Sequence, residues 1–236
     1  GGGLFASNPM TGSIGVVTIN LPRLGYETKG DETAYFAKLE RLLQFARSSL
    51  VTKRKVLERF SDHELYPYSR HYLAKIKKAR GQYWGNHFNT IGVIGMNEAS
   101  LNMLGEDITS PAGKQLATAT LNFIRDRLVQ FQEEDGFLYN LEATPGEGTT
   151  YRFAKMDKEK YPDIISSGDG APYYTNSTHL PVDYTSDIFD ALEHQDDLQV
   201  LYTGGTVLHG FIGEKIDSLE ACKNLVRKIA ENFHLP

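Results

Sequence analysis

Phe137-Leu138-Tyr139-Asn140-Leu141-Glu142-Ala143-Thr144-Pro145-Gly146-Glu147-Gly148-Thr149-Thr150-Tyr151-Arg152 passes from a short apolar segment into a turn dense in breakers. Phe137 to Leu141 reads as a strand, and Pro145 with two glycines ends it. Small residues let a ligand come close to the backbone, and Thr149 and Thr150 offer hydroxyl and amide donors of the kind that hold phosphate. A side chain at Gly146 or Gly148 would block that approach and is expected to meet disfavoured backbone angles. An ordinary strand-to-helix turn with a threonine cap has the same composition.

Working outward, the same strand-then-helix unit recurs. Ile14 to Leu21 is β-branched and bounded by glycine and proline, which predicts a buried strand. Asp31 is a fitting N-cap for a long helix to Phe60, with Phe36, Leu39, Leu43, Leu50, Leu57 and Phe60 on its apolar side. Tyr66-Pro67-Tyr68 interrupts it, and a basic helix follows from Ser69 to Lys78. Asn89 to Gly95 reads as a second buried strand, followed by a short helix from Asn97 to Leu104. Ser110-Pro111 opens another helix, with a capping hydroxyl and proline in the first turn. Beyond the glycine turn, Ile164 to Pro172 is a loop and Tyr173 to Thr178 a polar strand or loop. The pattern then predicts a helix from Ile188 to Gln195, a strand from Leu198 to Tyr202, a tight turn at Thr203 to Thr206 and a last helix from Ser218 to Phe233. On that helix Cys222 falls on the apolar stripe with Leu219, Val226, Ile229 and Phe233, where it reads as a small buried hydrophobe. Apolar strands alternating with helices imply an α/β fold with a parallel sheet, whose active sites gather at the C-terminal strand ends.

Composition narrows the function. The 236 residues, 40% hydrophobic and 23% charged, are enough for a large core. A formal charge of −5 argues against sequence-independent nucleic-acid binding, and the tight basic cluster of Lys75, Lys77, Lys78 and Arg80 reads as a solvated helix end. No apolar run reaches the roughly 20 residues of a membrane helix and no signal peptide opens the chain, so a cytoplasmic protein is expected. One cysteine excludes an internal disulfide and a multi-cysteine zinc site within this chain, and no metal site is expected in it. Gly1-Gly2-Gly3-Leu4-Phe5 at the start and His234-Leu235-Pro236 at the end both read as cuts through a larger protein.

Five blocks carry a family resemblance. Thr11 to Arg23 (TGSIGVVTINLPR), Thr90 to Ala99 (TIGVIGMNEA), Asn140 to Arg152 (NLEATPGEGTTYR), Tyr173 to Ser177 (YYTNS) and Tyr202 to His209 (YTGGTVLH) resemble, in order, blocks of the anaerobic (class III) ribonucleotide reductase catalytic subunit. The resemblance implies a glycyl-radical enzyme with a ten-stranded α/β barrel that reduces ribonucleoside triphosphates to deoxyribonucleoside triphosphates, supplying DNA precursors. In that family a finger-loop cysteine, made a thiyl radical by the glycyl radical, abstracts the ribose 3′ hydrogen and the 2′ hydroxyl leaves as water. Formate or a thiol system supplies the electrons. A separate iron–sulfur activating enzyme uses S-adenosylmethionine to install the radical, and the full-length protein is expected to be a homodimer. No cysteine precedes Cys222, so residues 1–236 are expected to be the central part of the catalytic barrel. The N-terminal nucleotide-sensing region, the finger-loop cysteine, the C-terminal zinc cysteines and the radical glycine would then lie outside the chain. No cofactor is expected within it, and the isolated chain is expected to be inactive.

Roles follow residue by residue. Thr144, Gly146, Glu147, Gly148, Thr149 and Thr150 are the candidate phosphate cradle. Glu147 is awkward beside phosphate, and either caps the helix or binds a metal carried by the triphosphate. Glu142, at a strand end, is the candidate for proton movement at the ribose if burial tunes it, with an ion pair to Arg152 or another base as the structural alternative. Asn20, at the end of the first strand, would hold a ribose hydroxyl or formate, or simply turn the chain. Thr11, Gly12 and Ser13 are weaker candidates for ribose or base contact. Asn176 and Ser177, and the turn from Thr203 to Thr206, would touch substrate or close the sheet. Asn97 and Glu98 follow a common turn motif, and His179 and His209 read as packing or hydrogen-bonding histidines. Two rival readings stand beside the reductase: another glycyl-radical enzyme of the formate-lyase type, against which the triphosphate-suited turn argues, and a non-catalytic nucleotide-binding remnant.

Overall fold

The computed structural model describes residues 10–210 and 215–234. Gly1 to Phe5, Leu235, Pro236 and the side chain of Glu147 lie outside what it describes. Three strands, β1 (Gly12–Asn20), β2 (His87–Ile94) and β3 (Tyr139–Glu142), form one parallel sheet in the order β1-β2-β3. Between β1 and β2 lie α1 (Leu21–Thr28), α2 (Glu32–Asp62), α3 (Pro67–Tyr72) and α4 (Ala74–Arg80). Between β2 and β3 lie α5 (Met96–Leu104) and α6 (Pro111–Asp135), and after β3 come α7 (Glu147–Lys160), α8 (Ile188–Gln199) and α9 (Leu219–Asn232). Glu142 also forms an isolated parallel bridge with Gly205, which extends the sheet by one rung.

Register fixes the two faces. Thr18 pairs with Gly92, which pairs with Glu142, and Asn20 pairs with Ile94. Because side chains alternate along a strand, Ile19, Ile91, Val93 and Leu141 share one face, and all are buried in the main core. There α2 lays down Tyr35, Leu39, Leu43 and Leu50, and α6 adds Leu121, Ile124 and Phe131. Each fully buried leucine contributes roughly 1.5–3 kcal/mol. Thr18 and Asn20, Thr90 and Gly92, and Asn140 and Glu142 share the other face.

The helix starts follow their caps. Asp31 accepts from the Ala34 amide at 2.9 Å, and Ser110 from the Gly113 amide at 3.0 Å with Pro111 in the first turn. Three expectations need correction. Leu21-Pro22-Arg23 opens helix α1, capped by Asn20, because proline is tolerated in a first turn. Leu198 to Tyr202 is no strand: α8 runs to Gln199, Val200 donates back to the Asp196 carbonyl, and Leu198 is buried as the last turn's core contact. Cys222 is exposed, since α9 fully buries none of its described residues: Leu219, Cys222 and Val226 are exposed, and Ile229 and Phe233 are half-buried.

Candidate substrate site

Asn20 and Glu142 lie on the same face of the sheet, two strands apart and one side-chain step offset. Standard strand spacings put their Cα atoms about 12 Å apart. Glu142 ends β3 half-buried, and burial pushes its carboxyl above the usual carboxylate range. Among the described residues no side chain donates to it, and no salt bridge joins it to exposed Arg152. One step deeper on β3, Asn140 is 1% exposed, and neither atom of its amide has a hydrogen-bond partner among the described residues.

The glycine turn folds over this face. Thr144 overhangs Gly92, where an added Cβ would lie 1.7 Å from the threonine hydroxyl, so only glycine lets the turn sit there. Gly146 caps α7 at φ −90° and would bring a Cβ within 2.2 Å of Ile94 Cδ1. Gly148 is different: among the described residues, a Cβ there meets nothing within 4 Å. Neither glycine has a left-handed backbone, so the expectation of disfavoured angles is wrong at both. Packing fixes Gly146, and Gly148 borders open space. Gly146 has no side chain to cap the helix, so by helix geometry the amides of Glu147, Gly148 and Thr149 have no intrahelical acceptor. They form a donor cluster at the positive end of α7. Thr149 is half-buried and Thr150 buried just behind it.

The Tyr173–Ser177 segment holds the turn in place. Asn176 Oδ1 accepts from the Gly146 amide at 3.0 Å, and Ser177 Oγ donates to the Thr144 carbonyl at 3.2 Å. Ser177 reaches this position with φ +46°, a strained value for serine. Two buried carboxylates anchor the segment, and neither was given a role from sequence. Glu98 accepts from the Thr175 amide and hydroxyl, each at 2.9 Å, and from Ser167 Oγ at 2.6 Å. Asp157 of α7 accepts from Tyr174 OH at 2.9 Å, Asn20 Nδ2 at 2.8 Å and Arg23 Nε at 2.6 Å, with a second, shorter bond from Arg23 Nη2. Burial, then the neighbouring Asp157 charge, holds the Tyr174 phenol above its ordinary range. Asn20 Oδ1 meanwhile accepts the Arg23 amide at 3.3 Å.

Other candidates lie farther off. Ser13 Oγ shares a 2.7 Å hydrogen bond with Thr90 Oγ1, while Thr11 and Gly12 sit half-buried at the opposite end of β1 from Asn20. Thr203 to Gly205 completes the sheet, with Thr203 Oγ1 accepting from the Leu141 amide and the Gly205 carbonyl accepting from that of Ala143. His179 bonds the Val207 carbonyl, and burial keeps its imidazole below the ordinary value. A cavity of about 290 Å³ runs past Thr150, Asn176, Tyr184 and His209, but Glu142 and Gly148 are not among its walls. Among the described residues no cluster of three or more His, Cys, Asp or Glu is placed to hold a metal, and no helix is long and apolar enough to cross a membrane.

Comparison with known proteins gives one result throughout. The family model for anaerobic ribonucleoside-triphosphate reductase matches residues 1–236. The Salmonella typhimurium anaerobic ribonucleoside-triphosphate reductase is 28% identical over 210 residues, which is 84% of this chain and 29% of the relative. The counterpart from Enterobacteria phage T4 is 31% identical over 118 residues, covering 50% of this chain and 18% of the relative. The crystal structure of the Thermotoga maritima anaerobic ribonucleotide reductase with MES in the active site superposes with a TM-score of 0.76 at 25% identity, covering 94% of this chain and 36% of that one. A structure of the same enzyme in complex with dATP and CTP matches equally, at TM-score 0.76 and 25% identity over 96% of this chain and 36% of that one. The chain thus spans less than a third of the length of its sequence relatives, and it belongs to the anaerobic ribonucleoside-triphosphate reductase family.

Proposed function

We propose that this chain forms the substrate-binding wall of an anaerobic reductase that converts ribonucleoside triphosphates to deoxyribonucleoside triphosphates. Residues 1–236 would make up the central part of a ten-stranded catalytic barrel. One observation carries the reading: the uncapped N-terminus of α7 and the half-buried Glu142 share one face of the sheet. Amides of Glu147, Gly148 and Thr149 bind the triphosphate, because free N–H groups and the helix dipole both favour anions there. The open space at Gly148 admits the phosphate oxygens. Asn176 and Ser177 hold this turn in shape through Gly146 and Thr144.

With the phosphates fixed on α7, the ribose lies toward Asn20 and Glu142. Asn20 uses one Nδ2 hydrogen on Asp157 and one Oδ1 lone pair on the Arg23 amide, which leaves one donor and one acceptor for a ribose hydroxyl or formate. Glu142, protonated more readily than a solvated carboxylate, gives a proton to the departing 2′ oxygen. The family's glycyl and thiyl radicals, carried outside this chain, supply the hydrogen abstraction. A separate iron–sulfur S-adenosylmethionine enzyme installs the radical, the complete protein is a cytoplasmic homodimer, and neither membrane nor nucleic acid is a partner. The test is a pair of variants in the complete enzyme. Gly148→Val is expected to weaken triphosphate binding strongly, and Glu142→Gln to leave binding nearly intact while slowing turnover. Unchanged triphosphate affinity in a well-folded Gly148→Val protein would remove the cradle.

A further inference from the structure

We propose that Asp157 is a positioning residue that sets which way the Asn20 amide faces. The inference rests on the reading of Asn20 as a ribose or formate contact. Asp157 is fully buried on α7, yet its partners come from two separate segments: Asn20 and Arg23 at the β1–α1 junction, and Tyr174 in the loop that holds the cradle. A carboxylate accepts only, so its contact with Asn20 must be to the amide nitrogen. The Arg23 backbone N–H fixes the other end, since it requires the Asn20 oxygen at 3.3 Å. Together they exclude the flipped amide, in which oxygen would face oxygen at Asp157 and nitrogen would face N–H at Arg23. Asn20 therefore meets its ligand with one defined donor and one defined acceptor. The Arg23 fork holds Asp157 in place, binding Oδ1 while Asn20 and Tyr174 use Oδ2.

Asparagine at position 157 has nearly the same volume but one acceptor oxygen instead of two. It cannot serve the Arg23 fork on one side and the Asn20 and Tyr174 donors on the other, so the Asn20 amide is freed to flip. A merely structural role for Asp157 would act independently of Asn20, which makes a double-mutant cycle the right test. In the complete, radical-bearing enzyme, Asn20→Ala and Asp157→Asn are each expected to lower kcat/KM at least tenfold. The double variant is expected to stay within about threefold of Asn20→Ala alone. If the two losses multiply, Asp157 does not act through Asn20 and the proposal falls while the reading of Asn20 stands. If Asn20→Ala retains wild-type kcat/KM, both fall. Should Asp157→Asn fail to fold by circular dichroism, Arg23→Lys replaces it in the same cycle, since it removes the fork but keeps the charge. It is expected to lower kcat/KM in the wild-type background and not in the Asn20→Ala background, and equal losses in both would overturn the proposal.

Discussion

Gly148→Ala should make the protein more stable and a poorer binder at once. Gly148 lies in the first turn of α7 without a left-handed backbone, and a Cβ there meets nothing within 4 Å among the described residues. Alanine therefore costs no packing and removes glycine's backbone entropy, a gain of up to about 1 kcal/mol. For a chain of this size that raises Tm by roughly 2–4 °C. The same methyl enters the space assigned to the triphosphate. Losing one charge-assisted hydrogen bond there costs roughly 1.5–3 kcal/mol, or about 10- to 150-fold in Kd. Differential scanning calorimetry reads the first effect and isothermal titration with a ribonucleoside triphosphate the second. An alanine variant that melts higher and binds the triphosphate with unchanged Kd would refute the assignment, because stability would then exclude misfolding as the reason.

Gly146 should behave in the opposite way. Its added Cβ would lie 2.2 Å from Ile94 Cδ1, and Ile94 is wholly buried against Ala154 and Tyr174, so Gly146→Ala is expected to cost about 1–3 kcal/mol by urea denaturation. That penalty should shrink in an Ile94→Val background, which lacks the clashing carbon. Glu142→Gln is expected to lower kcat by about 10²- to 10⁴-fold with little change in triphosphate Kd. In its proposed role as proton donor, with burial raising its pKa, Glu142 should give kcat/KM a limb that falls as pH rises above the ordinary carboxylate range, and glutamine should abolish that limb. Burial also holds His87, His179 and His194 below their ordinary value of 6.5. The unfolded chain then takes up protons that the folded one refuses, so stability is full above pH 6.5 and falls as pH drops below it. Denaturation midpoints in the His179→Gln variant should show a shallower acid slope than wild type.

Much of this was legible in the sequence for physical reasons. β1 and β2 declare themselves because β-branched runs between breakers favour strands, although β1 is largely half-buried with Val16 45% exposed, and Asp31 and Ser110 mark helix starts because a free amide turn needs a short side-chain acceptor. Period-two alternation gives the faces of each strand, and only the register shows that Asn20 and Glu142 share one. Pro22 bounds the first strand as expected, but Leu21 belongs to the helix that follows, because proline is tolerated in a first turn. Leu198 to Tyr202 reads as a strand because four apolar residues around Gln199 are too short a stretch to show a period of their own. The stripe on α9 gave the right helix and the wrong burial, since amphipathicity cannot say whether a partner surface is present. Asp157 was invisible for a different reason: Lys155 and Lys158 beside it suggest a solvated face, and its partner Asn20 is 137 positions away.

The central claim is that the first turn of α7 carries the triphosphate, and amide chemical shifts test it most directly. Titrating the isotope-labelled protein with a ribonucleoside triphosphate, and separately with the nucleoside lacking phosphates, should perturb the Glu147, Gly148 and Thr149 amides with the triphosphate only. Equal perturbation by both ligands, or a triphosphate response that spares those three amides, would contradict the account.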